Sequence, residues 1–161
     1  MIVKEKLDKK ISTIFRSGRV RTANRSVRSG ITYSEFLSDK MMIIGLIREG
    51  VPYSLFSLIK EAAPFTEANW AEFLNVSTKT LERYKKTSKP FKPLQSEKII
   101  EMAEVTNIGK EVFGSTERFR LWLDTPSFAL GKMKPLELLN DSYGKEMVMG
   151  ELTRISHGIL V

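Results

Sequence analysis

The chain has 161 residues, a formal net charge of +7 and no cysteine. Its hydrophobic content of 42% is enough to bury a core, which excludes a disordered chain, and the absence of cysteine excludes a disulfide framework or a thiolate metal site. No apolar run approaches the roughly 20 residues that cross a bilayer, so we expect a cytoplasmic protein with no membrane role. We also expect that the protein uses no metal and no cofactor.

The positive charge lies in two stretches. Residues 1–30 contain nine Lys/Arg and two Asp/Glu, and residues 75–98 contain seven and two. Leu7 to Phe15 fits one short helix, whereas the Ser-, Arg- and Gly-rich stretch from Ser17 to Gly30 predicts an extended arm or linker. Residues 1–35 are therefore expected to form a basic N-terminal arm, which is either simply solvated or in contact with DNA phosphates.

The rest of the chain predicts an all-α fold, because apolar residues recur at spacings of three and four and strand alternation is missing. A helix through Met41 to Ile47 ends at Gly50 and Pro52, and Thr66 and Ser77 are expected to cap two later helices. Further helices are predicted over residues 54–63, 95–113, 115–124 and 142–155, with a short turn over 136–139.

The segment from Glu67 to Tyr84 has helix–turn–helix spacing. Ala71 is small where two helices would cross, and Asn75 suits a left-handed turn residue. Val76 is expected to be the buried turn residue, and Leu81 is the inward anchor of the second helix. A recognition helix reads base edges with its N-terminal residues. Residues 36–94 are therefore expected to form a DNA-binding domain whose contacts come from Ser77, Thr78, Lys79, Thr80, Arg83 and Lys86.

The C-terminal third carries a longer pattern. Its landmarks are Val112-Phe113-Gly114, Trp122-Leu123, Thr125-Pro126, Ala129-Leu130-Gly131, Pro135-Leu136, Leu138-Leu139, Gly144, Val148, Leu152 and Ile155-x-His157-Gly158. This order resembles the toxin-binding domain of the Xre/MbcA/ParS antitoxins, and the helix–turn–helix upstream resembles that of the Xre-type members. Where the family usually has Gly-Gly, this chain has Gly131-Lys132. Trp122 and Leu123 are expected in the core, and Gly144 is expected to allow close helix packing.

The resemblance implies a toxin-binding domain over residues 95–161 and a cognate RES-domain toxin that attacks NAD. It also implies that the antitoxin's last segment blocks the toxin's NAD pocket and that the operon's own promoter is repressed. Carried onto this chain, the toxin-binding residues would be Arg154, Ser156, His157, Gly158, Ile159, Leu160 and Val161. A homodimer is expected, because one DNA-binding module seldom gives useful specificity.

Two other interpretations stay open. A stand-alone transcriptional repressor with a C-terminal dimerisation domain explains the helix–turn–helix equally well, but it does not explain the pattern from Trp122 to Gly158. An enzyme would need catalytic residues, and the chain has no HExxH, P-loop or cysteine nucleophile and a single histidine, His157. We therefore expect no catalytic residue, and we expect His157 to pack or cap rather than catalyse.

Overall fold

The computed structural model describes residues 2–20 and 30–158, and within these ranges the fold is all-α, as predicted. A single β-bridge, between Ser127 and Met133, is the only extended pairing in the described part of the chain. The helices are α1 (Val3–Arg16), α2 (Tyr33–Leu37), α3 (Lys40–Glu49), α4 (Tyr53–Ala62), α5 (Glu67–Leu74), α6 (Thr78–Thr87), α7 (Pro93–Phe113), α8 (Thr116–Leu123), a 3-10 turn (Phe128–Leu130), α9 (Pro135–Leu138) and α10 (Ser142–Ser156).

The chain divides into two compact units. The N-terminal unit comprises Met1–Ala62 and Val76–Met102, and the C-terminal unit comprises Ala63–Asn75 and Ala103–Val161. The units are discontinuous, since α5 belongs with the C-terminal helices and α6 with the N-terminal ones. This division differs from the three contiguous segments expected from the sequence. The functional boundaries of those segments, 1–35, 36–94 and 95–161, remain a proposal.

In the N-terminal unit, the basic stretch contains a packed helix. The apolar side chains of α1, Leu7, Ile11 and Phe15, are buried, and α1 contacts both α2 and α4. The Asp8 carboxylate accepts the Tyr33 N–H at 2.8 Å, which ties α1 to the start of α2. Most of the predicted arm between Ser17 and Gly30 lies outside the described residues.

The N-terminal unit is closed around Phe91, which precedes α7 and is buried. Its ring stacks on Tyr84 of α6 at 4.4 Å and meets Phe56 of α4 edge-on at 4.9 Å. Its N–H donates to the Val51 carbonyl at 2.9 Å, and its own carbonyl accepts the buried hydroxyl of Ser96. The segment around Pro90, which the sequence marks only as a helix break, is thus a core contact between α4 and α6.

In the C-terminal unit, Arg120 of α8 holds the start of α5. Its Nη1 donates to the Pro64 carbonyl at 2.7 Å and to Asn69 Oδ1 at 2.9 Å, and its Nε donates to Asp124 at 2.7 Å. Asn69 is also half of the capping box with Thr66 that begins α5. The Arg120 guanidinium therefore links α8 to the capping box at the start of α5.

Two glycines allow close packing in this unit. A Cβ added at Gly109 of α7 would overlap the ring of Phe119, which is fully buried. A Cβ added at Gly144 of α10 would overlap the carbonyl oxygen of Leu138 in α9. The expectation that Gly144 permits close packing is confirmed, and α9 and α10 can meet backbone to backbone only because this residue has no side chain.

The predicted helices are present, with differences at particular residues. Helix α2 is an addition to the predicted set, although Thr32 and Glu35 form a capping box at its start. Met41 and Ile44, which the pattern places on a buried face, are exposed, because the short helix α3 buries Met42 and Leu46 instead. No helix in the described ranges is long and apolar enough to cross a membrane.

Candidate functional site

The turn after α5 has the conformation that its sequence predicts. Asn75 adopts φ 54° and ψ 46°, in the left-handed region, and its N–H donates to the Ala71 and Glu72 carbonyls. Asparagine tolerates this region better than other residues with a side chain. Val76, expected to be a buried turn residue, is only half-buried.

Helix α6 separates an inner face from an outer one. Leu81 is buried, and Tyr84 stacks on Phe91 and donates its hydroxyl hydrogen to Gln95 at 3.1 Å. Lys79, Arg83 and Lys86 are exposed, and their spacing of four and then three residues places them on one side of the helix. Three exposed cations therefore project from a helix whose inner face is fixed by packing.

The hydroxyl residues at the start of α6 have a local role. Ser77 caps the helix by accepting the Thr80 N–H at 3.1 Å, and the two hydroxyl oxygens lie 2.9 Å apart in a hydrogen bond. Thr78 is exposed in the first turn. The six residues expected to contact DNA are thus gathered on the first turns and one side of α6, with Ser77 and Thr80 occupied in capping.

Charge is distributed unequally between the two units. The N-terminal unit contains nineteen Lys/Arg and nine Asp/Glu, a net of +10, and the C-terminal unit contains seven and ten, a net of −3. The cations of α6 therefore belong to the strongly basic unit. Such a potential favours a polyanion, because neutralised phosphates release their counterions on binding.

The other candidate site is the end of α10. Arg154 pairs with Glu151 at 3.6 Å, and the Ser156 hydroxyl donates to the Thr153 carbonyl at 2.7 Å. His157 is the exposed C-cap, which agrees with its expected capping role, and Gly158 follows at φ 71°. A left-handed glycine just past a helix is a common way for a helix to end.

The remaining residues of this candidate site, Ile159, Leu160 and Val161, lie outside the described residues. Arg154, Ser156, His157 and Gly158 are brought together by the last turn of α10. The Arg154 side chain is 43% exposed, whereas that of its partner Glu151 is 14% exposed, so the guanidinium reaches solvent beside a largely buried carboxylate.

The loop before α9 contains Gly131-Lys132, where the family usually has a Gly-Gly pair. Gly131 and Lys132 adopt φ 68° and 65°, so both positions are left-handed. Lysine is strained there, by roughly 1 kcal/mol. Its ammonium lies 5.9 Å from the ring centroid of Phe128, which is a favourable contact that partly offsets the strain.

Some exposed residues of the C-terminal unit are missing from the sequence-based prediction. Phe128 and Tyr143 are 82% and 83% exposed, and Trp122, expected in the core with Leu123, is half-buried while Leu123 is buried. The exposure of Tyr143 could have been predicted from the sequence, because Tyr143 lies one residue before Gly144 and is therefore off the buried face of α10. No group of acidic, histidine or cysteine side chains in the described ranges is arranged to hold a metal ion.

Comparison with known proteins identifies two domains in the chain. Residues 42–104 match the antitoxin Xre-like helix-turn-helix domain, and residues 109–158 match the antitoxin Xre/MbcA/ParS C-terminal toxin-binding domain. The chain is also similar to the Prs ADP-ribosylating antitoxin of Sphingobium sp. (strain YBL2), with 25% identity over 124 residues, 71% of this chain and 78% of the relative. Both families are antitoxin families and not enzymes, which confirms the expectation of a non-enzymatic protein.

Proposed function

This chain belongs to the Xre/MbcA/ParS antitoxins, and from this we propose that it neutralises a RES-domain, NAD-targeting toxin in the cytoplasm by occluding the toxin's active site. We also propose that, as a homodimer, it represses its own promoter. Its C-terminal domain binds a toxin. The observation that carries the proposal is the end of α10, where a half-buried arginine and an exposed serine and histidine precede a left-handed Gly158.

The chemistry of the end of α10 suits an NAD pocket. Arg154, Ser156 and His157 supply hydrogen-bond donors that acidic groups and other acceptors in a toxin cleft can accept. The name of the Sphingobium relative includes ADP-ribosylation, a reaction that takes ADP-ribose from NAD. A toxin that degrades NAD and one that transfers ADP-ribose would share the pocket that residues 155–161 are proposed to fill.

Removing residues 157–161 should abolish inhibition. We expect the truncated chain to leave the NAD consumption of the neighbouring gene's product unchecked, whereas the full chain suppresses it, because the segment beyond the helix cap would no longer enter the pocket. The measurement is NAD loss with the purified pair. The truncation starts at the C-cap, after the last buried residue, Leu152, so its thermal midpoint should stay within about 2 °C of wild type.

Full inhibition by the truncated chain would refute the occlusion mechanism. A neighbouring gene product that is not toxic, or whose toxicity this chain does not relieve on co-expression, would refute the antitoxin role in this operon. In that case the stand-alone repressor, with the C-terminal unit as a dimerisation domain, becomes the better explanation.

The DNA role is proposed to use the exposed side of α6. Replacing Arg83 or Lys79 by alanine should weaken binding to the operon's promoter by about tenfold each, since each removes a charged group that can bind a base or a phosphate. The salt dependence of log K should also fall by about one for each phosphate that is no longer neutralised. Fluorescence anisotropy over a salt series measures both quantities.

The matched control for these variants is Lys134→Ala. Lys134 is an exposed cation of the C-terminal unit, so its removal lowers the net charge equally without touching α6. Wild-type promoter affinity in both α6 variants would contradict the assignment of α6 as the recognition helix. A dimer would present two such helices about 34 Å apart, and analytical ultracentrifugation with and without a two-half-site duplex tests that arrangement.

A further inference from the structure

Helix α10 carries a stripe of residues on its solvent-facing side. Tyr143, Met147, Gly150 and Arg154 (the α10 stripe) follow one another at spacings of four, three and four, so they share one side of the helix. The buried side is formed by Gly144, Val148 and Leu152. Tyr143 is 83% exposed and Met147 is 49% exposed, so the apolar part of the α10 stripe faces solvent.

A second exposed aromatic residue lies on a neighbouring element. The 3-10 turn Phe128–Leu130 contacts α10, and within it Leu130 is buried while Phe128 is 82% exposed. Met133, which is 43% exposed, is held opposite Ser127 by the β-bridge. Single exposed apolar residues are ordinary, but several large ones on contacting elements of one unit mark an interaction surface.

Gly150 has no reason within its own unit to be glycine. Glycine weakens the interior of a helix relative to alanine, and a Cβ added at Gly150 would meet no atom within 4 Å. Gly144 on the same helix is the opposite case, because the carbonyl of Leu138 leaves no room for a side chain. The missing side chain at Gly150 therefore suits packing by a second molecule.

We propose that the α10 stripe and Phe128 form the surface that seats the toxin, with the toxin's surface packing closely over Gly150. This inference rests on the proposed function and extends it by assigning affinity and inhibition to different parts of the chain. The α10 stripe and Phe128 hold the toxin, and the segment beyond the helix cap blocks the toxin's pocket. Tyrosine, phenylalanine, methionine and arginine are residue types enriched in protein interfaces, and tyrosine and arginine are among those that dominate binding energy there.

Two observations identify the toxin as the occupant of this surface. All five residues lie within residues 109–158, the part that matches a toxin-binding domain. The α10 stripe also ends at Arg154, where the segment proposed to enter the toxin begins, so one continuous interface would cover both.

The decisive variant is Gly150→Trp in the full chain. Because the position is open, the indole should fold outward without disturbing the helix, and the thermal midpoint should not fall. Binding to the purified product of the neighbouring gene should weaken by about 100-fold or more, as expected when a bulky group is forced into a closely packed interface. Tyr143→Ala should weaken binding by about tenfold or more, because it removes an aromatic ring from the interface.

The matched control is Glu117→Trp, which places the same ring at an exposed position of α8, outside the α10 stripe and Phe128, and should leave toxin affinity within about threefold of wild type. Gly150→Ala should raise the thermal midpoint by about 2–4 °C, since it removes only the helix penalty of glycine. Binding is measured by calorimetry, and the oligomeric state of each variant by light scattering.

The outcomes separate the two proposals. If the chain lacking residues 157–161 still binds the toxin within about tenfold of wild type while Gly150→Trp does not, the division of roles is supported. Wild-type toxin affinity in both Gly150→Trp and Tyr143→Ala would overturn the seating surface and leave occlusion standing. If Gly150→Trp instead breaks a dimer of this chain and keeps its toxin affinity, the surface belongs to a second copy and the inference is wrong. If the wild-type chain does not bind the neighbouring product, both proposals fail.

Discussion

Replacing Phe91 by alanine should destabilise the N-terminal unit by about 3–5 kcal/mol, the range for truncating a fully buried aromatic side chain. Phe91 is 2% exposed and its ring contacts Tyr84, Phe56 and Tyr53. The residue also links α4 to α6 through these rings. We therefore expect promoter binding to be abolished at temperatures where wild type still binds, because α6 would lose the stacking that sets its inner face.

Urea denaturation followed by circular dichroism measures the first effect, and anisotropy with promoter DNA measures the second. Lys92→Ala is the control, because Lys92 is the exposed neighbour on the same segment. Phe91→Leu should recover part of the stability by refilling some of the volume. Phe91→Ala with a wild-type unfolding midpoint would show that this segment is not part of the core.

Replacing Gly144 by alanine should destabilise the C-terminal unit by about 2–3 kcal/mol or more, a large effect for one methyl group. The added Cβ would overlap the carbonyl oxygen of Leu138, and a backbone atom cannot move aside as a side chain can. The Gly144 N–H also donates to the Asp141 carboxylate at 2.6 Å, so a shift of α10 would cost the helix its cap. Protection against the toxin on co-expression should fall with the stability of this unit.

Gly150→Ala is the control for Gly144→Ala, since it makes the same chemical change six residues later on the same helix. The two variants should move the free energy of unfolding in opposite directions, because one position is closed by α9 and the other is open. An unfolding midpoint for Gly144→Ala at or above that of wild type would contradict the close approach of α9 and α10.

The local features of the fold could be predicted because they depend on neighbours in the sequence. Thr66 and Ser77 cap their helices by accepting an N–H three residues later, and Asn75 adopts the left-handed conformation for which its side chain is suited. Helix α2 has the same kind of signal in Thr32 and Glu35 but is only five residues long. A helix of that length depends on packing, here of Phe36 in the core, and packing is not visible from local spacing.

The candidate site was predictable to a similar extent. The exposed cations Lys79, Arg83 and Lys86 follow from the period of α6, since Leu81 and Tyr84 must face inward. Only the atomic positions show that the Ser77 and Thr80 hydroxyls bond to each other while Ser77 caps α6. The exposure of Phe128 could also be seen only in the structure, because from sequence alone a phenylalanine in a loop can be assigned to the core as readily as to the surface.

The sequence by itself determined the helical class, most helix boundaries and caps, the two basic stretches and the pattern shared with an antitoxin family. Those features arise from residue type and from interactions over three or four positions. Only the tertiary structure decided that Arg120 joins α5 to the C-terminal helices, that Phe91 is a core residue rather than a linker, and that Gly144 and Gly150 have different roles. Each of these depends on atoms brought together from distant parts of the chain, and identical residues on one helix can be distinguished only by what packs against them.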